Sequence, residues 1–327
     1  MLDFKFLKRA MIGLAALAVI GHAASAQTTT YPSKPVKLLV PAAPGGNPDI
    51  LARVLAQKLT TAFGSSFFVE NLPGAGGVVA AQATVKAQPD GYVLFLGDSG
   101  SLAISPAITP SLTYDPLKDL TPISALASVP TVLVINPELG LKDLASFIAA
   151  ARQSPRKINY GSPGIGSIHH LTMAVFAAQM KIELEHIAYR GGTPMVEALL
   201  RREVQAGWSG IPNVMEPMRL GTLRGIAVST AKRQPATPDI PTLGELGYGN
   251  FDIATMIGLL GPAGLPRPVV DKLQTAVAVV LRDPDMVSRL DSLGMTIGEQ
   301  GSEAYAKIMK ADVEKYAKAA RDAGLSK

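Results

Sequence analysis

Two periods of apolar spacing run through this chain in alternation. Short runs rich in β-branched residues predict strands at Val36 to Val40, Phe67 to Glu70, Tyr92 to Leu96, Thr131 to Ile135, Ile158 to Tyr160, Leu184 to Ala188, Val204 to Ser209 and Gly225 to Ser229. Segments with a 3.6-residue period fill the gaps. After Asn47-Pro48, a capping residue with proline at the first helical position, Ile50, Leu51, Val54, Leu55 and Leu59 form one apolar face. Thr193-Pro194 repeats the device before Met195, Val196, Leu199 and Leu200. Asp283-Pro284 repeats it before Val287 and Leu290, with Gly294 placed to stop that helix. Further helices are predicted from Pro268 to Leu281 and from about Ser302 to Ala323. Strands alternating with helices in this way predict an α/β fold of mostly parallel sheets flanked by helices.

No long linker or low-complexity segment interrupts the pattern. Two proline-marked extended stretches, Pro122 to Pro130 and Phe251 to Pro262, are the expected crossings between two domains. The first domain then holds residues 27–127 and the returning segment 253–327, and the second holds residues 128–252. Such a division places a ligand cleft and a hinge between the domains.

The N-terminus changes the picture of where the protein works. Lys5, Lys8 and Arg9 precede an apolar block from Ala10 to Ile20, which leads to Ala24-Ser25-Ala26. Basic, apolar and small-residue regions in this order predict a cleavable signal peptide, residues 1–26, cut after Ala26. The apolar block falls short of the ~20 residues that span a bilayer, and the chain has no cysteine to carry a lipid. The expected location is a bacterial periplasm. The removed segment carries three basic residues and one acidic, so the net charge of +5 falls to +3. A balance so mild and scattered argues against nucleic acid and suits a small anion as partner. With 47 % hydrophobic residues, a chain of this size can bury a sufficient core without disulfides.

Candidate chemistry concentrates in glycine-rich turns. The stretch VPAAPGGNPDILARVLAQKL, Val40 to Leu59, joins a strand to a helix. It lacks the lysine of a P-loop and the spacing of a dinucleotide fingerprint. What it retains is backbone N–H groups at a helix N-terminus, where the dipole favours a negative guest. A plain tight turn is the alternative. KINYGSPGIGSIHHLTMAVF, Lys157 to Phe176, is a second such turn, with Ser167 as the expected cap. Two of them facing each other across a cleft can hold carboxylates at both ends of a ligand. His169 and His170 read as surface and capping residues, because adjacent histidines point about 100° apart on a helix.

FLGDSGS, Phe95 to Ser101, resembles the nucleophile block of GDS-type serine hydrolases, but no histidine lies after His186 to serve as its base. Ser99 is therefore read as a cleft hydroxyl. There is no GxSxG, thiol, HExxH or metal-spaced cluster, so no enzyme, metal or cofactor is expected.

The blocks YPSKPVKLLVP, PGGNPDILAR, VENLPGAGGVVAA, PDGYVLFLG, LTYDPLKDLTPIS, YGSPGIGS, HHL, AYRGGTP, AVSTAKR, PDIPTLGELG and GPAGLP follow one another in this order. Together they resemble the extracytoplasmic solute-binding proteins of tripartite tricarboxylate transporters, the Bug-type receptors, from Tyr31 to the last helix. The resemblance implies a two-domain, type II-like periplasmic binding protein. Such a protein is a monomer without cofactor that closes on a small carboxylate and hands it to membrane permease subunits. A ligand-sensing receptor for a membrane signalling protein is the alternative, and a periplasmic hydrolase a remoter one.

By the same resemblance the first turn supplies Pro44, Gly45, Gly46 and Asn47, with Asp49 ordering the turn. The second supplies Ser162, Gly166, Ser167 and His170. Arg190 stands where relatives carry a cation, as a carboxylate partner or as half of a surface salt bridge, and Ser99 is expected to open onto the cleft. Two departures bear on the ligand. Trp208-Ser209 replaces a Phe-Asp of many relatives, and Met256 replaces a tryptophan. Loss of that aspartate removes an acceptor for an ammonium group. Trp208 is either a flat apolar wall or core packing, and as a wall it implies an aromatic acid such as a phthalate or terephthalate.

Overall fold

The structure, a computed structural model, describes residues 31–249 and 251–325. The expected signal peptide, its cleavage site after Ala26 and His22 lie outside the described residues. Ten strands occur among the described residues: β1 (Val36–Val40), β2 (Phe67–Asn71), β3 (Val93–Asp98), β4 (Leu120–Ile135), β5 (Asn159–Ser162), β6 (Glu185–Ala188), β7 (Ala206–Gly210), β8 (Arg224–Val228), β9 (Ala254–Pro262) and β10 (Thr296–Ile297). The helices are α1 (Asn47–Phe63), α2 (Val78–Val85), α3 (Ser105–Ile108), α4 (Leu144–Gln153), α5 (Ile168–Met180), α6 (Gly192–Leu200), α7 (Ile211–Arg219), α8 (Arg267–Arg282), α9 (Pro284–Ser292) and α10 (Ser302–Asp322).

The strands run in the order β2-β1-β3-β9-β4-β7-β5-β6, with β8 and β10 also on β4. Each outer part is parallel: β2, β1 and β3 at one end, β7, β5 and β6 at the other. The middle is antiparallel. The first part of β4, to Pro130, pairs with β9, and its last part, Thr131 to Ile135, pairs with β7 and β8. One strand thus passes through both lobes of an α/β fold. The sequence pattern predicts a strand only over that last part, with Pro122 to Pro130 as an extended crossing stretch, and the structure makes both one strand. Pro122 falls at a shift in register, where a missing N–H costs no ladder bond.

The second passage lies beside the first. Ile253 N–H donates to Ser229 O, and Ser229 Oγ donates to Ile253 O. Thr131 Oγ1 donates to Ser229 Oγ at 2.7 Å, so a buried hydroxyl pair ties both crossing segments at one level.

Among the described residues three apolar clusters fill the fold, one of them shared between the lobes. Leu39, Phe95, Leu120, Leu260, Tyr305 and Met309 form one, and Val132, Met195, Leu199, Ile211 and Val228 another. A third contains Phe147, Phe176, Trp208 and Phe251 together with Tyr316 and Ala320 of α10. Burying side chains of this size contributes about 1.5–3 kcal/mol each. The apolar face expected for α1 is present, with Leu51, Leu55 and Leu59 buried.

Candidate functional site

Four helices begin at the wall of one cavity. Gly46 precedes α1, Ser167 caps α5, Gly191 precedes α6 and Gly210 precedes α7. The cavity is ≈ 60 Å³ and is lined by Gly46, Asn47, Ser167, Ile168, Gly191, Gly192, Ser209 and Asn213 from these turns. Gly74, Gly76 and Gly77, from the turn after β2, and Asp98, at the end of β3, complete it. Helix N-termini carry unsatisfied N–H groups and a partial positive charge, so a cavity built from four of them is suited to an anion.

The first turn owes its shape to Asp49. Its carboxylate accepts Gly45 N–H at 2.8 Å and Asn71 Nδ2 at 2.8 Å, and pairs with Arg53 at 2.9 Å. Burial alone raises its pKa, but the bonds from Arg53, Gly45 and Asn71 outweigh that and hold the carboxyl below its usual range. Asp49 is 2 % exposed and orders the turn from behind. Gly45, at φ +79, takes a backbone conformation that L side chains rarely adopt.

Asn47 does not cap α1, contrary to the expectation from sequence. Gly46 takes that place, and the Asn47 side chain turns across the cleft onto Gly210. Thr193 likewise lies within α6, which Gly191 opens at φ +119. Its hydroxyl is thereby free to donate to Pro44 O at 3.1 Å, and Asn213 Nδ2 donates to Gly45 O at 3.0 Å. These bonds join the two lobes directly. Gly76 is packed so tightly that an added Cβ would stand 2.7 Å from Ile165 O of the opposite lobe. The structure is a closed form.

The structure brings Gly46, Asn47, Ser167 and Ser209 to the cavity wall. Pro44, Gly45 and Gly166 lie in the same turns, with Pro44 O and Gly45 O occupied by cross-lobe bonds. Ser167 Oγ accepts His170 N–H, the cap expected. Ser162 is fully buried behind the turn, its Oγ 2.8 Å from His186 Nε2. His186 in turn stacks between Tyr160 and His170. Arg190 is exposed and outside the cavity.

Two placements differ from a cleft position. Ser99, 2 % exposed, accepts Met256 N–H at 2.9 Å and lines a separate small cavity with Tyr305 and Asp312. Trp208 is 0 % exposed, T-shaped against Phe176 and stacked on Phe251. Core packing, one of the two readings open from the sequence, is its place. The reason is strand alternation: on β7 Trp208 faces the core, and Ser209, its neighbour, faces the other way.

The electrostatics of the cavity are unusual for an anion site. Among the described residues no lysine or arginine lines it. Burial lowers the pKa of His169, on the wall, to about 4, so it stands neutral near pH 7. Burial raises the pKa of Asp98, although bonds from Ser101 and Gly100 oppose the rise. Backbone and neutral polar groups are left to hold a negative ligand.

Asp98, Asn213 and the Pro73 to Gly77 turn escaped the sequence reading. Asp98 lies inside FLGDSGS, where the recognisable local signal belongs to the serine. The glycine run has the same signal as the other turns, and Asn213 lies in the first turn of a helix that opens with glycine and proline.

Two α/β lobes joined by crossing strands, with helix N-termini meeting in the cleft, define a periplasmic solute-binding protein. This chain belongs to the family described as the tripartite tricarboxylate transporter family receptor, whose profile matches residues 51–325. It is similar to Protein BugT of Bordetella pertussis, with 33 % identity over 316 residues, 96 % of this chain and 97 % of that protein. A solved structure of an R. palustris protein with adipate superposes with a TM-score of 0.87 at 31 % identity, covering 90 % of this chain and 98 % of the other. MatC of Rhodopseudomonas palustris with bound malate gives a TM-score of 0.85 at 28 % identity, covering 88 % and 99 %. The family consists of receptors for small carboxylates that serve tripartite transporters, and not of enzymes.

Proposed function

We propose that this protein captures a small open-chain carboxylate between its jaws and delivers it to the permease of a tripartite transporter. The observation that carries the reading is the convergence of four helix N-termini on one cavity without a cationic side chain. Gly46, Asn47, Ser167 and Ser209 are the proposed contacts, with Asp49 and His170 ordering the turns that present them. The domains divide at residues 127/128 and 252/253, and the tied strands near Thr131, Ser229 and Ile253 act as the hinge. Export depends on cleavage after Ala26, and the monomer is the working unit.

The preference for an open-chain over an aromatic acid rests on Trp208. The flat wall that an aromatic ligand needs is in the core, and the cavity of ≈ 60 Å³ is small. Adipate and malate, held by the solved relatives, are open-chain dicarboxylates. Ligand stabilises the closed form only through contacts stronger there than in the open form.

A thermal-shift panel of succinate, malate, citrate, adipate, phthalate and terephthalate tests this. At a hundred times Kd a ligand adds ~2.7 kcal/mol to native stability, enough for a shift of several degrees. The reading fails if no carboxylate shifts the midpoint, and the preference fails if only the aromatic acids do. Loss of uptake on deleting the gene tests delivery.

A further inference from the structure

We infer that Asp98 selects, among the small carboxylates, a ligand that carries an N–H or O–H donor beside its carboxylate. The inference rests on the receptor reading above and deepens it. Asp98 ends β3 and lines the cavity. Its Oδ1 accepts the amide of Ser101 at 3.0 Å and the Ser101 hydroxyl at 3.0 Å. A carboxyl group carries acceptor lone pairs on both oxygens, and the hydrogen bonds that Asp98 accepts from Ser101 fall on Oδ1, so acceptor capacity remains at the other oxygen. Among the described residues, no lysine or arginine on the cavity wall neutralises it.

A second acceptor on the same wall points the same way. Asn47 Oδ1 is buried without a partner, in a residue only 6 % exposed, and Nδ1 of His169 on the same wall is likewise without one, donating or accepting according to its tautomer. Buried polar groups in folded proteins are almost always hydrogen-bonded, and an exception calls for a partner that the site receives. A plain dicarboxylate brings acceptors alone. A hydroxyl or an ammonium donates to the empty acceptor. Ser209, which stands where an acidic residue is expected from relatives, therefore does not leave the cavity without an acceptor for a cationic group.

Matched ligand series test this on the intact protein by titration calorimetry: succinate, malate and aspartate, then propionate, lactate and alanine. Within each series only the substituent beside the carboxylate changes. The donor-bearing members are expected to bind at least about tenfold more tightly than the unsubstituted acid, since a site built around a donor rejects the analogue lacking it. Asp98→Asn keeps Oδ1 for Ser101, and so the turn, and should erase most of that preference. Preference for the amino acids identifies an ammonium, and preference for malate and lactate a hydroxyl; either supports the inference. Equal binding across a series, or an unaltered ranking in Asp98→Asn, overturns it while the receptor reading stands. Absence of binding by every carboxylate tested overturns both.

Discussion

Replacing Gly210 with alanine separates cleft closure from folding. Gly210 has φ −60 and ψ 137, a conformation open to any L residue, so alanine adds no backbone strain. The new Cβ would lie 1.8 Å from Asn47 Nδ2 and 2.7 Å from its Cγ, across the cleft. Restoring ordinary contact requires the amide to retreat by roughly 1.5 Å or the lobes to part. Overpacking of this kind costs about 1–3 kcal/mol, and here it falls on the closed form alone. Since about 1.4 kcal/mol is tenfold in affinity, Kd should rise about 5- to 150-fold. Titration calorimetry with any carboxylate that binds the wild type measures this. The melting temperature without ligand should hold within about 2 °C, because the open form relieves the contact. In the double variant Asn47→Ala/Gly210→Ala the obstacle is gone, so its Kd should match that of Asn47→Ala. Wild-type binding by Gly210→Ala, or a double variant whose loss is the product of the single losses, would refute the argument.

Stability should fall on acidification from pH 6.5 to 4. His170, held near 4 by burial and secondarily by the charge of His186, binds its proton in the unfolded chain near 6.5. Between those values the unfolded chain holds more protons, so the stability present above pH 6.5 is lost as pH drops, with His170 contributing on the order of 3 kcal/mol. Denaturant titrations at pH 7.5 and 4.5 measure it, and His170→Gln should remove only part of the slope, because His169, its pKa also lowered to about 4 by burial, acts in the same sense. Asp49→Ala should destabilise the protein by about 1–3 kcal/mol and weaken ligand binding, through loss of bonds to Gly45, Asn71 and Arg53; unchanged affinity would show that the first turn keeps its shape unaided. Trp208 is the single tryptophan. Buried away from the cavity, it should keep its emission maximum on ligand addition and shift only on unfolding, and Trp208→Ala should cost about 3–5 kcal/mol.

Much of this protein was legible because its signals are local. The strand-to-helix turns, the apolar face of α1 and the Ser167 cap depend on a handful of neighbouring residues, and their backbone polarity follows from helix geometry wherever they lie. Misreadings arose where a local signal had two outcomes. Asn47 has the chemistry of a cap, but Asp49 already orders the turn and leaves the Asn47 amide to reach across the cleft. The proline-marked stretch of β4 reads as extended chain without a partner, and its partner strand, more than a hundred residues away, supplies the ladder.

By itself the sequence determined the alternation of strands and helices, the polarity of each turn and, through the order of its motifs, the family. Only the tertiary structure decided which turns meet. It placed Ser209 on the cavity and Trp208 in the core, because neighbours on a strand face opposite ways. It also set Asp98, otherwise one letter of an unused motif, into a wall with no cation among the described residues. Those outcomes depend on pairing between distant segments, which no short window of sequence contains.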